Sequence, residues 1–202
     1  DGVEIVSPAT NDYVTLEKDL NIIYKELINN AQNSGHHFSS FDDDDGDGDY
    51  STGYHVHVES EDLTLEQKGL LVLYVQTHFE ELQRKWPDLL PDWRRDRRYT
   101  HWVTCYHEDS LHDFSYRARH GERYKAVNIT GNKIEATVEF RIAFMPSTAE
   151  EAFTWMEFCR DLVDNVSTFS AFRSANAMES LEAFEAHMLS QKTIEEIIEV
   201  AA

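Results

Sequence analysis

The sequence predicts an α+β domain in which helices pack on one face of an antiparallel sheet, and three observations carry that expectation. The stretch "GYHVHVES" (53–60) and the stretch "TVEFRIAF" (137–144) alternate apolar with polar or charged residues, as half-buried strands do. Longer segments repeat apolar residues at helical spacing. The dipeptide "GN" at 131–132 sits between "RYKAVNIT" and "KIEATVEFRIAF", which reads as two strands joined by a tight turn.

In chain order, "GVEIVSP" (2–8) reads as a short strand that Pro8 ends, with Glu4 on the face opposite Val3 and Ile5. Leu16, Leu20, Ile23, Tyr24, Leu27 and Ile28 then recur at helical spacing, so a helix is expected over 16–31 with Gly35 as its terminator. Residues 36–52 carry an acidic run without periodicity and read as a loop. In the strand that follows, His55, His57 and Glu59 share one face while Tyr54, Val56 and Val58 share the other. Thr64 with Gln67 forms a capping box for a helix running through Leu70, Leu71, Leu73, Tyr74, Phe79 and Leu82 and stopping before Pro87. Residues 88–122 form a basic and aromatic insertion to which the sequence assigns no element. After the hairpin, Ser147 and Thr148 open a long helix with Phe153, Met156, Phe158 and Leu162 turned inward, and "MESLEAFEAHML" and "TIEEIIEV" read as two shorter closing helices. There is no internal repeat.

Bulk composition narrows the function classes. With 202 residues, 41% of them hydrophobic, the chain is long enough for one substantial core and is read as one domain over 1–202. Its 38 acidic against 18 basic residues give a formal charge of -20, which repels nucleic acid and anionic membrane and requires a polyanionic ligand to arrive with metal. No apolar run approaches the roughly 18 residues of a membrane span, so a cytoplasmic protein is expected. Cys105 and Cys159 are too few for a disulfide framework and are expected to stay reduced.

Three predicted strands each set a charged residue between apolar neighbours: Glu4, then His55 and His57, then Glu139 and Arg141. One sheet face can gather them all. Carboxylates and a neutral imidazole suit a divalent cation, and Arg141, two residues from Glu139, shares its face and can grip a phosphate bidentately. The plainer reading is a sheet whose polar face meets water.

"GVEIVSP", "GYHVHV" and "RYKAVNIT…TVEFRIAF", in that order with helices between them, resemble the amidoligase family of carboxylate–amine ligases, relatives of glutamine synthetase and glutamate–cysteine ligase, over roughly residues 1–165. The resemblance implies a glutamine synthetase-like half-barrel whose concave face binds ATP and magnesium. It also implies the reaction: a carboxylate is phosphorylated and the acyl-phosphate is attacked by an amine. By it Glu4, His55 and Glu139 are metal ligands. His57, Arg123, Asn128 and Arg141 contact nucleotide or substrate, and Arg123, Arg141 and Glu139 serve the chemistry. Family members open with a Gly-x-Glu-x-Glu strand ahead of the position matching Glu4, and this chain starts at Asp1. Either that strand was removed from this chain or this is a degenerate member.

Other signals have ordinary explanations. Asp43, Asp45, Asp47 and Gly48 begin a calcium-loop pattern, but its final bidentate position falls on Tyr54, so a solvated acidic loop is expected. Cys105 near His107 and Asp113 is read as a small apolar residue, since catalytic pairs are made by the fold and not by adjacency. "RRDRR" at 94–98 is interrupted by Asp and opposed by the whole-chain charge as a nucleic-acid patch. Three functions therefore stand: an amide-forming ligase using ATP, a carboxylate and an amine; a non-catalytic module on the same fold; and, last, an acidic mimic of nucleic acid.

Overall fold

The computed structural model describes residues 10, 12–28, 53–90, 102–120, 125–129, 136–170 and 176–201. The expected first strand at 2–8 and the acidic loop at 36–52 lie outside the described residues, as do the "GN" turn and residues 91–101 of the insertion. The described residues form an α+β structure with an open three-stranded antiparallel sheet in the order β1-β3-β2. Here β1 is Gly53–Glu59, β2 is Val127–Asn128 and β3 is Thr137–Phe144.

Alternation divides this sheet chemically. Val56 on β1, Phe140 on β3 and Val127 on β2 stand in one row, all buried in the main apolar core. One residue along each strand, the row is His57, Glu139 and Asn128. The pairing slips once: Tyr54 faces Ala143 and Val56 faces Phe140, so Arg141 and Ile142 together stand against His55. Such a bulge bends a strand and re-aims the side chains beside it.

Helix α1 (Tyr13–Ile22) is capped by Asp12, whose carboxylate accepts from the Val14 and Thr15 amides. The hydroxyl and amide of Thr15 hold that carboxyl below its ordinary value. The helix starts three residues before the expected Leu16 and continues as a π-helix over Ile23–Ile28. There the Tyr24 hydroxyl donates to the Pro146 carbonyl at 2.8 Å, which fastens this helix to the end of β3.

The capping box forms as expected, with the Gln67 amide on Thr64 Oγ1 and the Thr64 amide on Gln67 Oε1. It opens α2 (Leu65–Thr77), which buries Leu70, Leu71, Val72, Leu73 and Val75. Burial of five apolar residues within six positions places the middle of this helix inside the core. The expected single helix is broken at His78, and α3 (Phe79–Lys85) follows. His78 joins Glu81 at 3.1 Å and Glu185 at 2.6 Å and lies against the Tyr74 ring. A contact 107 residues away in sequence holds this corner, so helical periodicity carries no sign of it.

Within the insertion, α4 (Leu111–Arg119) is capped by Ser110, which accepts from the Asp113 amide. At its other end the buried Lys125 ammonium donates to the carbonyls of Arg117, Ala118 and His120. Three donors meet three acceptors there. Gly69 of α2 lies so close to α4 that a Cβ on it would come within 1.8 Å of Ser115 Oγ. Helix α5 (Ala149–Thr168) starts from Thr148 as expected and faces the core with Trp155, Cys159, Leu162, Val163 and Val166, while Phe153, Met156 and Phe158 flank that stripe, half-buried. The two expected closing helices are one, α6 (Ala177–Ala201), because no Gly or Pro interrupts the stretch between them. Both cysteines are free, and burial pushes their thiols above the ordinary value.

Candidate functional site

The polar face of the sheet is organised around Glu139. It stands at mid-height of the central strand, 4% exposed, with His57 opposite it on β1 and Asn128 opposite it on β2. Its two oxygens are used differently. Oε2 accepts from Asn128 Nδ2 at 2.9 Å, and both residues are buried. Oε1 accepts from Arg141 Nη1 at 2.7 Å and also faces His55 Nδ1 at 3.3 Å and His57 Nε2 at 3.6 Å. The first imidazole contact is close enough for polar pairing; the second is not a hydrogen bond.

Exposure rises outward from the carboxylate. Side-chain exposure is 6% at Glu139, 21% at Arg141, 34% at His55 and 50% at His57. A ligand approaching this face therefore meets the imidazoles and the guanidinium first, with the carboxylate beneath them.

Gly53 belongs to the same face. A Cβ built on it would meet His55 Nε2 at 2.7 Å and Cδ2 at 3.2 Å, so the ring lies in the space that a side chain would fill. Sequence reasoning passed over Gly53; the available signal was a glycine two positions before His55, on the same side of the strand.

His55, His57, Asn128, Glu139 and Arg141 are thus brought together, as the sequence reading requires. Glu4 and Arg123 lie outside the described residues. Among the described residues, no three His, Cys, Asp or Glu side chains form a group able to hold a metal ion by themselves. Glu139 Oε1 carries the Arg141 guanidinium instead.

The donor chemistry nevertheless suits part of a cation site. Ligands held at about 2.1 Å in an octahedron stand roughly 3 Å from their neighbours, which is near the His55–Glu139 separation of 3.3 Å and shorter than the 3.6 Å to His57. Magnesium prefers oxygen ligands, and here the described residues offer one carboxylate, so a further carboxylate is required. No described helix is long and apolar enough to cross a membrane. Protein-family models, curated proteins and solved structures were each compared with the chain, and none matches it.

Proposed function

We propose that this protein is an ATP- and magnesium-dependent ligase of the amidoligase kind, built on a glutamine synthetase-like sheet, that joins a carboxylate to an amine. One observation carries the reading: a buried carboxylate ringed by two imidazoles and a guanidinium on the open face of an antiparallel sheet. In this reading Glu139 and His55 hold the cation together with Glu4. Magnesium held there would offset the charge of the ATP phosphates, and ATP would supply the phosphoryl group that activates the acid, leaving as ADP.

The protein's own groups have distinct tasks. Arg141 offers a planar, permanently charged fork for phosphoryl oxygens, and the same charge steadies the oxyanion that forms when the amine adds. Arg123 shares that task by resemblance. His57, the most exposed member, contacts nucleotide or substrate. Glu139 fixes the Arg141 guanidinium until a ligand competes for it.

The test is equilibrium binding of MgATP, followed by ADP release over a panel of acids and amines. ATP binding that needs magnesium, with ADP released only when an acid and an amine are both present, supports the ligase. A second reading, a non-catalytic module, is favoured by the Arg141–Glu139 pair, which neutralises the site without any ligand. It predicts no ADP release with any pair, and failure to bind MgATP at all ends the ligase proposal.

A further inference from the structure

We propose that His78 is a protonation-dependent clamp: its charged imidazolium ties α6 to the joint between α2 and α3, and its neutral ring gives up part of that tie. The backbone of His78 is the joint itself. Its amide donates to the Tyr74 carbonyl at the end of α2, and its carbonyl accepts from the Glu81 and Leu82 amides of α3. The side chain adds the third helix, with Nδ1 3.1 Å from Glu81 Oε2 and Nε2 2.6 Å from Glu185 Oε1 of α6.

Both ring nitrogens thus face carboxylate oxygens. An ionised carboxylate only accepts, and a neutral imidazole has one donor and one lone pair, so only the imidazolium serves both partners. The neutral ring turns a lone pair toward one of them. The backbone favours the charged form as well, because a cation at a helix C-terminus, here that of α2, meets the negative end of the helix dipole. The groups facing the ring come from all three helices: Tyr74 of α2, with ring centroids 4.6 Å apart, Glu81 of α3 and Glu185 of α6. Burial first, then the Glu185 and Glu81 charges, hold the Tyr74 hydroxyl above its ordinary value, so it stays neutral while the imidazole titrates.

The tie to α6 is the sheltered one, with side-chain exposure of 34% at Glu185 against 65% at Glu81. Next to Glu185, Phe184 is buried against the Tyr74 and Phe169 rings. That apolar anchor does not titrate, so loss of the ring's proton loosens α6 at this corner without freeing it. His187 of the same helix supplies a contrast: its Nε2 stands 3.1 Å from Thr168 Oγ1, a hydroxyl that donates or accepts as the ring requires.

Histidine ordinarily titrates between about pH 5 and 8, so the whole protein is compared at about pH 6 and about pH 9. Imidazole nitrogen signals in NMR should show two protons on the His78 ring at the lower pH and one at the higher. The clamp's contribution is complete while the ring is charged and the carboxylates are ionised, and it fades as rising pH removes the ring's proton. Glu185→Gln should therefore melt below the parent at the lower pH and close most of that gap at the higher, with Glu81→Gln doing the same over a smaller gap. In a His78→Asn background, Glu185→Gln should change the melting temperature equally at both. In the parent, amides around Glu185 should lose roughly fivefold to tenfold of their hydrogen-exchange protection between the two conditions, after correction for intrinsic exchange, since a charge-assisted bond is about twice as strong as a neutral one.

A His78 ring that holds a single proton at the lower pH overturns the proposal. So does a melting gap that is the same at both pH values, or one that keeps its pH dependence in the His78→Asn background. If the variants fail to fold, the ring signals and the exchange protection of the parent decide, and protection that does not fall with the ring's proton overturns the clamp.

Discussion

Two glycines, Gly69 in the helical core and Gly53 at the edge of the polar sheet face, each make room for one neighbouring side chain. At Gly69 the neighbour is Ser115, which is fully buried and donates to the Leu111 carbonyl, with its Cα only 3.0 Å from where a Cβ would stand. At Gly53 the neighbour is the outer end of the His55 ring, on a partly open face. A close-packed interior transmits strain, whereas a side chain at a surface turns aside. The same added methyl group therefore threatens the fold at one position and only the arrangement of the site at the other.

Gly69→Ala should have the largest effect. The gain in helix propensity, roughly 1 kcal/mol, is outweighed by overpacking that costs about 1–3 kcal/mol or more where backbone blocks retreat. At roughly 2–4 °C per kcal/mol for a domain of this size, a fall of several degrees in melting temperature is expected. Adding Ser115→Gly should restore much of it, and a single variant that melts with the parent would show that α2 and α4 separate freely.

Next comes Arg141→Ala, which should leave the helical core folded and weaken MgATP binding by roughly tenfold or more, because a charge-assisted contact is lost. Arg141→Lys keeps the charge without the fork and should fall between the two. Calorimetric titration reads both. Equal ATP affinity in all three proteins would leave Arg141 as a partner of Glu139 and nothing more.

Gly53→Ala should be milder. Its melting temperature should stay near the parent's while the imidazole nitrogen signals of His55 shift in NMR as the ring is displaced. A melting loss as large as that of Gly69→Ala would erase the contrast between the two glycines.

The smallest effect belongs to the exposed His112–Glu66 pair, at 2.8 Å on the outer side of the helices. Its hydrogen bond raises the His112 pKa from 6.5 and lowers that of Glu66 from 4.5. The histidine's contribution is complete below 6.5 and fades as pH rises through its raised folded value. The carboxylate's is complete above 4.5 and fades as pH falls through its lowered one. The pair thus helps most between 4.5 and 6.5. Glu66→Gln should melt slightly below the parent at pH 5.5 and level with it at pH 9; a gap that widens with pH would contradict this assignment.

The polar face was legible in the sequence because alternation alone puts His55 with His57 and Glu139 with Arg141. Register was not. That Glu139 sits between His57 and Asn128 depends on how the strands pair, so the sequence carried no sign that Asn128 stands buried against the carboxylate. The break at His78 depends on Glu185 of α6 and left no local mark. Helix α4 did leave one: Ser110 followed three residues later by Asp113 is a helix-start pattern, obscured by the charged residues around it.

One side chain joins distant parts of this fold. Gln67 uses its oxygen at the start of α2 and its nitrogen on the Val166, Ser167 and Phe169 carbonyls, where α5 ends. Fraying of either helix end therefore strips a buried amide of partners belonging to the other. Hydrogen exchange should register this as shared protection: amides of the first turn of α2 and the last turn of α5, about 100 residues apart in the chain, should open with a common free energy and lose their separate protection together in Gln67→Leu.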